Sequence, residues 1–272
     1  MQVVGNLEKM RSFNEKPVQY YLPVGEESIH LNPFIGKHIK ILYAGNIHCT
    51  HCGRKTKKSF NQGYCYPCSQ RLAACDICIV RPEKCHYDNG TCREPEWAQA
   101  HCMQPHFVYL SNTSGIKVGI TRQSQIPTRW IDQGASQALA IYKTRTRFQV
   151  GLLEMVIKQH MADKTNWQRM LKGEPEAIDL VQHRDFLFNE IAAEVAEIDM
   201  RFGGDQIFQV EEDLTVIDFP VERYPQKVSS LSLDKTDLVE GILEGIKGQY
   251  LIFDTGVINV RKFTGYEIQL EA

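Results

Sequence analysis

The sequence predicts an α+β protein with a cysteine-rich, metal-binding segment and a small β unit at each end. Three observations predict it. All nine cysteines fall within residues 48–102. Residues 105–173 alternate strand-type and helix-type patterns. The stretches before 48 and after 205 alternate apolar and polar residues between turn formers, as half-buried strands do.

The N-terminal β unit spans 1–47. VQYYLPV and SIHL flank a Gly25-Glu26-Glu27 turn, and HIKILYAG follows as a further strand. The C-terminal unit spans 206–272. QYLIF and VINV are joined by Asp254-Thr255-Gly256, a hairpin signal, and YEIQL follows Gly265. GKHIKILYAGNI and GQYLIFDTGVI share a Gly, apolar strand, Gly, apolar order, so the two ends are expected to be barrel-like units that pair with each other. Between the central region and the C-terminal unit, 176–205 reads as an acidic helix. Phe188, Ile191, Val195 and Ile198 keep helical spacing, and Gly203-Gly204 supplies the stop.

At 272 residues the chain has room for about two domains. No apolar run approaches the ~18 residues of a membrane span, and the first residues carry no secretory pattern. A cytoplasmic location is expected, where paired cysteines point to metal and not to disulfides. The net charge of −2 conceals an asymmetry. Residues 28–75 contain no acid, and 117–149 carry Lys117, Arg122, Arg129, Lys143, Arg145 and Arg147 against Asp132 alone. From 174 to 222 the balance reverses, with only Arg184 and Arg201 as strong bases. Such segregation suits a basic face that meets a polyanion, so nucleic acid is the expected partner. RNA or DNA, and the oligomeric state, are left open.

The cysteine module spans 48–104. Cys49-x-x-Cys52 and Cys65-x-x-Cys68 form two knuckles, each turning the chain around one ion, and together they complete a tetrahedral zinc site of the ribbon type. The loop between them carries Lys55, Lys57 and Lys58 among aromatic residues, a pattern that can hold phosphates and stack bases. A second zinc is expected on Cys75, Cys78, Cys85 and Cys92, with Cys102 or His106 as substitutes. An iron–sulfur cluster is the alternative there, because cysteine spacing does not identify the metal.

The central module spans 105–175. HFVYLSNTSGIKVGIT gives two strands around a Ser-Asn-Thr-Ser-Gly turn, and Arg129 and Trp130 lie on a short helix ending at Gly134. ALAIYKTRTR is a third strand, and FQVGLLEMVIKQHM a helix with Leu153, Val156, Ile157 and His160 on one side and Glu154 beside them. A final short helix is expected to run from an Asp163 cap to Leu171. This strand-strand-helix-strand-helix-helix order resembles the GIY-YIG nucleases. Val108-Tyr109-Leu110 matches the first triplet at Tyr109. Lys117-Val118-Gly119 matches the second at Val118 and Gly119, with Lys117 in place of tyrosine, as in a phage-type branch of that superfamily. The resemblance implies that Tyr109 orients water, that Arg129 and Lys117 stabilise the phosphate, and that Glu154 binds magnesium or manganese. Asn166 falls at the position of an asparagine that often follows the glutamate. Arg122, Arg145 and Arg147 would grip the backbone.

Across most of its length the chain also resembles an uncharacterised microbial family, a domain of unknown function that joins a cysteine block to stretches like KVGITR, RWIDQGA and DKTNW. These occur here at 117–122, 129–135 and 163–167. That resemblance implies the domain plan and carries no activity. The function expected is a zinc-binding, nucleic-acid-interacting protein and candidate metal-dependent endonuclease. A non-catalytic RNA- or DNA-binding module is one alternative, and a nucleic-acid-modifying enzyme using the second cysteine set is another.

Overall fold

The computed structural model describes all residues, 1–272. In chain order the strands are β1 (Gln2–Asn6), β2 (Arg11–Phe13), β3 (Gln19–Val24), β4 (Glu27–His30), β5 (His38–His48), β6 (Lys55–Thr56), β7 (His106–Asn112), β8 (Ile116–Arg122), β9 (Gln137–Thr144), β10 (Ile207–Gln209), β11 (Thr215–Val216), β12 (Leu238–Lys247), β13 (Tyr250–Phe253), β14 (Gly256–Asn259) and β15 (Tyr266–Glu271). The helices are α1 (Tyr66–Arg71), α2 (Pro95–His101), α3 (Thr128–Asp132), α4 (Arg147–Ile157), α5 (Trp167–Met170), α6 (Leu180–Glu190) and α7 (Ala192–Arg201). No helix is long and apolar enough to cross a membrane.

The segments expected as two β units share one sheet, in the order β1-β15-β5-β12-β13-β14 with β6 on β5. Alternation drives the pairing. β5 buries Ile39 and Ile41 while exposing His38, Lys40 and Leu42, and β15 buries Tyr266, Ile268 and Leu270. Each strand offers an apolar face that the other extends, with Ile41 opposite Leu270. β2, β3 and β4 form a small separate sheet.

The central sheet runs β10-β9-β7-β8, with β11 on β9, and all its ladders are antiparallel. β7 is buried along its whole length because both faces are covered. Phe107 and Tyr109 point into the core shared with the large sheet, whereas Val108 and Leu110 pack with Val150, Leu153 and Ile157 of α4 and with Leu180 and Leu187 of α6.

Helix ends depart from the sequence expectations in three places. α4 starts on a capping box, in which Thr146 Oγ1 accepts from the Gln149 N–H and Gln149 Oε1 accepts from the Thr146 N–H. It stops at Ile157, so His160 lies in the following turn, exposed, and not on the helix stripe. The short α5 is capped by Asn166 and not by Asp163, whose carboxylate pairs with Lys158 instead. The single acidic helix expected near 176–200 is two helices. They break at Ile191 (φ −108°, ψ 13°), which is pulled into the α4 and α6 core.

Candidate functional site

The first four cysteines are gathered by local geometry. β5 ends at His48, and Cys49 and Cys52 sit in the turn that leads into β6, with Gly53 at φ 67°. Cys65 occupies the N-cap position of α1, and Cys68 lies within the helix. All four sulfurs lie within 4.8 Å of one another, and the Cys52 and Cys65 Sγ atoms are 3.8 Å apart. Ligands about 2.3 Å from a tetrahedral centre stand about 3.8 Å from each other, so the set fits a single ion such as zinc. Burial pushes the Cys49 thiol up, but the backbone N–H groups of Cys65, Cys52 and His51 outweigh it and hold it at about 6, so a thiolate is ready at neutral pH.

A cavity of about 520 Å³ opens between β8, α3, α4 and the cysteine segment. β8 brings Lys117 and Arg122, α3 brings Arg129, and α4 brings Arg147 and Glu154, two turns apart on one face. Lys158, Asp163 and Arg261 complete its charged lining. Cations exceed carboxylates around this space, so it favours an anion.

Hydrogen bonds order the cavity floor. Tyr109 is fully buried beneath it and does not line it. Its hydroxyl donates to Gln133 Oε1 at 2.9 Å, and Lys117 Nζ donates to the same oxygen at 2.7 Å. Gly119 stands opposite Tyr109 in the ladder, and a Cβ there would lie 2.5 Å from the phenol oxygen. The glycine of KVGIT is therefore the space into which the tyrosine ring folds. Burial raises the Tyr109 pKa, so the phenol keeps its proton and donates. Burial, reinforced by Arg129, lowers Lys117 to about 8. Burial also raises Glu154, against the opposing charge of Lys158.

Lys158 Nζ sits 3.1 Å from Glu154 and 3.1 Å from Asp163. Two carboxylates that share one ammonium can equally share a divalent cation. His106 is buried at the cavity's inner wall. Its Nδ1–H donates to the Gln104 carbonyl at 2.7 Å and its Nε2 has no partner; burial lowers its pKa to about 4, so it is neutral.

Other sequence candidates lie elsewhere. Asn166 Oδ1 accepts the Arg169 N–H as a helix cap, and Asn166 does not line the cavity. Arg145 lies over the Phe208 ring and donates to the Asp205 carbonyl. Lys55, Lys57 and Lys58 are exposed on the ribbon. Cys75 packs against the first cysteine cluster, whereas Cys78, Cys85, Cys92 and Cys102 line one small cavity together. Its two-residue spacing to Cys78 places Cys75 with the second set by sequence. The turn at Ala73–Cys75 instead follows α1 directly and keeps that thiol on the ribbon side.

Gln133, Lys158, Asp163 and Arg261 were missed. Gln133 is one turn after Arg129 and Lys158 one turn after Glu154, so helical spacing could have indicated both. Arg261 arrives from the turn after β14, and no local pattern announces it.

The chain matches no curated protein and no solved structure. A family model described as a protein of unknown function, DUF2797, matches residues 36–268, and the chain belongs to that family.

Proposed function

We propose that the chain binds nucleic acid by its phosphate backbone at the 520 Å³ cavity and hydrolyses a phosphodiester there. One observation carries the reading: Lys117, Arg129 and Glu154, from a strand and two different helices, line the same cavity. The order β7, β8, α3, β9, α4 and the placement of these side chains support a GIY-YIG-like site. Phosphodiester hydrolysis needs cations against the developing charge and a positioned water. Lys117, Arg129 and Arg147 serve as the cations. Gln133 Oε1 already accepts from Tyr109 and Lys117, so its amide N–H groups are what it offers to a phosphate oxygen. Tyr109 acts through Gln133 as a positioning residue. Glu154 and Asp163 would hold magnesium or manganese, which supplies Lewis acidity when bound.

The test uses the native protein and Glu154→Gln with magnesium or manganese and labelled tRNA, single-stranded RNA, duplex DNA and branched DNA. The variant should lose at least about 100-fold in cleavage while its affinity stays within about twofold. Equal turnover by both would sink the assignment. The ion pair of Lys158 with Glu154 favours one second reading, a binding platform whose carboxylates are already neutralised. Salt-sensitive binding without cleavage in any divalent ion would establish that reading instead.

A further inference from the structure

We infer that Cys78, Cys85, Cys92 and Cys102 bind a second zinc ion, and that this ion fixes the cavity wall on which Arg147 is anchored. The four cysteines line a single mostly apolar cavity of about 10 Å³. Space of that size admits about one water, so the four thiols enclose a nearly closed, dry pocket. Three of these cysteines are half-buried and Cys102 is buried.

The segment that carries them has little regular structure of its own. Between α1 and α2 it consists of three single-turn 3₁₀ helices (Ala73–Cys75, Ile77–Ile79 and Pro82–Lys84) and a loop. Ile77 and Val80 are exposed, so apolar burial contributes little there. A segment of this kind depends on a cross-link. No three of the four thiols come within 4.8 Å of one another, so binding draws the ring inward by closing the loops between them.

Asp76, Cys78 and His86 do bring three ligand atoms within 4.8 Å, which makes them the rival set. Asp76 is already engaged, however. Its Oδ2 lies 2.7 Å from Arg93 Nε, and Arg93 also donates to the Ser69 and Leu72 carbonyls. His86 Nε2 faces the same carboxylate at 3.5 Å. Asp76, His86 and Arg93 thus form a polar clasp beside the thiols, and the thiolates alone remain for a soft ion.

The link to the larger cavity is direct. Arg147 Nη2 donates to the Ile79 carbonyl at 2.6 Å, one residue beyond Cys78, and the Arg147 N–H donates to the Cys102 carbonyl at 2.8 Å. Both anchors of this arginine therefore sit on or beside proposed ligands. Pro82 lies so close to α4 that a Cβ on Gly151 would stand 2.5 Å from the Pro82 Cβ. The role given to Arg147 toward phosphate rests on the proposed function; the metal assignment and the anchoring do not.

Metal analysis of the native chain should find two zinc ions, and Cys92→Ser and Cys102→Ser should each retain one while His86→Ala retains two. In the intact protein, iodoacetamide should label Cys75 and spare the other eight cysteines until a chelator is added, a readout that needs no variant to fold. Hydrogen exchange at residues 147–151 should speed up by about tenfold or more in Cys92→Ser, with β5 and β15 unchanged. Any of three results would overturn the inference. These are one zinc in the native chain with all four thiols labelled as fast as Cys75, iron with acid-labile sulfide in place of the second zinc, or His86→Ala retaining one ion while Cys92→Ser retains two. Normal exchange at 147–151 in a one-zinc Cys92→Ser protein would refute the anchoring. None of these readouts uses nucleic acid, so absence of cleavage or binding would fail the proposed function alone.

Discussion

Cys49, Cys52, Cys65 and Cys68 come from two tight knuckles and converge within 4.8 Å, whereas Cys78, Cys85, Cys92 and Cys102 come from a single-turn helix, loops and the end of α2 and ring a small cavity more widely. The first set is nearly self-contained. Its ladder (β5 with β6) and its helix α1 are built from the residues that flank the ligands. The second set is built into its neighbours, because Cys102 lines both cavities and Pro82 is wedged on α4. The same donor atom therefore serves two purposes. In the first set it closes a local unit, and in the second the inferred ion would fasten the 73–102 segment to the charged cavity. Damage to the first should stay local, while damage to the second should reach Arg147.

The largest expected effect breaks the first set. Cys65→Ser should lose one metal ion and lower the melting temperature by on the order of 10 °C, with the second metal retained. Loss of both ions together would erase the distinction between the sets. Gly151→Ala makes the converse lesion. Its methyl group meets the Pro82 Cβ at 2.5 Å and the Glu83 backbone nitrogen at 2.9 Å, so the cysteine segment must lift from α4. About 1–3 kcal/mol of stability should be lost, and a chelator should strip the second ion first.

A smaller effect sharpens the cavity side of the comparison through pH. Lys117 has a folded pKa lowered to about 8 by burial and by Arg129. Its ammonium is present below that pH and lost above it, so affinity for a single-stranded oligonucleotide should fall up to about tenfold between pH 7 and 9. Lys117→Arg, which keeps its charge, should flatten that profile. For stability the sign is opposite. The unfolded lysine binds more protons between about 8 and its ordinary value of 10.5, so the burial penalty fades as pH rises through that window. The smallest effect is Asn166→Ala. Removing a helix cap should cost about 1 kcal/mol in chemical denaturation and leave metal content and affinity untouched.

The parts of the fold that were legible in the sequence were those set by neighbours along the chain. Period-two alternation marked β5 and β15, apolar strand-type runs marked β7, β8 and β9, and the paired Cys-x-x-Cys spacing marked the first cysteine set. Cys75-x-x-Cys78 reads as a knuckle along the chain, but Cys75 packs on the first cluster whereas Cys78 lines the smaller cavity. The convergence of Lys117, Arg129 and Glu154 could be anticipated only through the family resemblance. Arg261 reaches the cavity from the C-terminal half of the large sheet, which no local pattern encodes. Asp163 has the residue type of a good cap, but its carboxylate pairs with the Lys158 ammonium 3.1 Å away and Asn166 caps α5 instead.

The joining of both β segments in one sheet has a consequence for how the protein is made. β5 pairs on one side with β12 and on the other with β15, and Ile41 meets Leu270. On the ribosome, the ribbon can take its ion soon after Cys68 emerges, and the sheet around β7 can form its ladders once β9 and β10 are available. β5 must wait for almost the whole chain, with its row of Ile39, Ile41 and Ile47 uncovered. Such long-range ladders are slow to form and prone to sticking meanwhile. A chain interrupted before β15 would carry that bare edge permanently, and so would be marked for chaperones or proteases even with its cysteine clusters and charged cavity already in place.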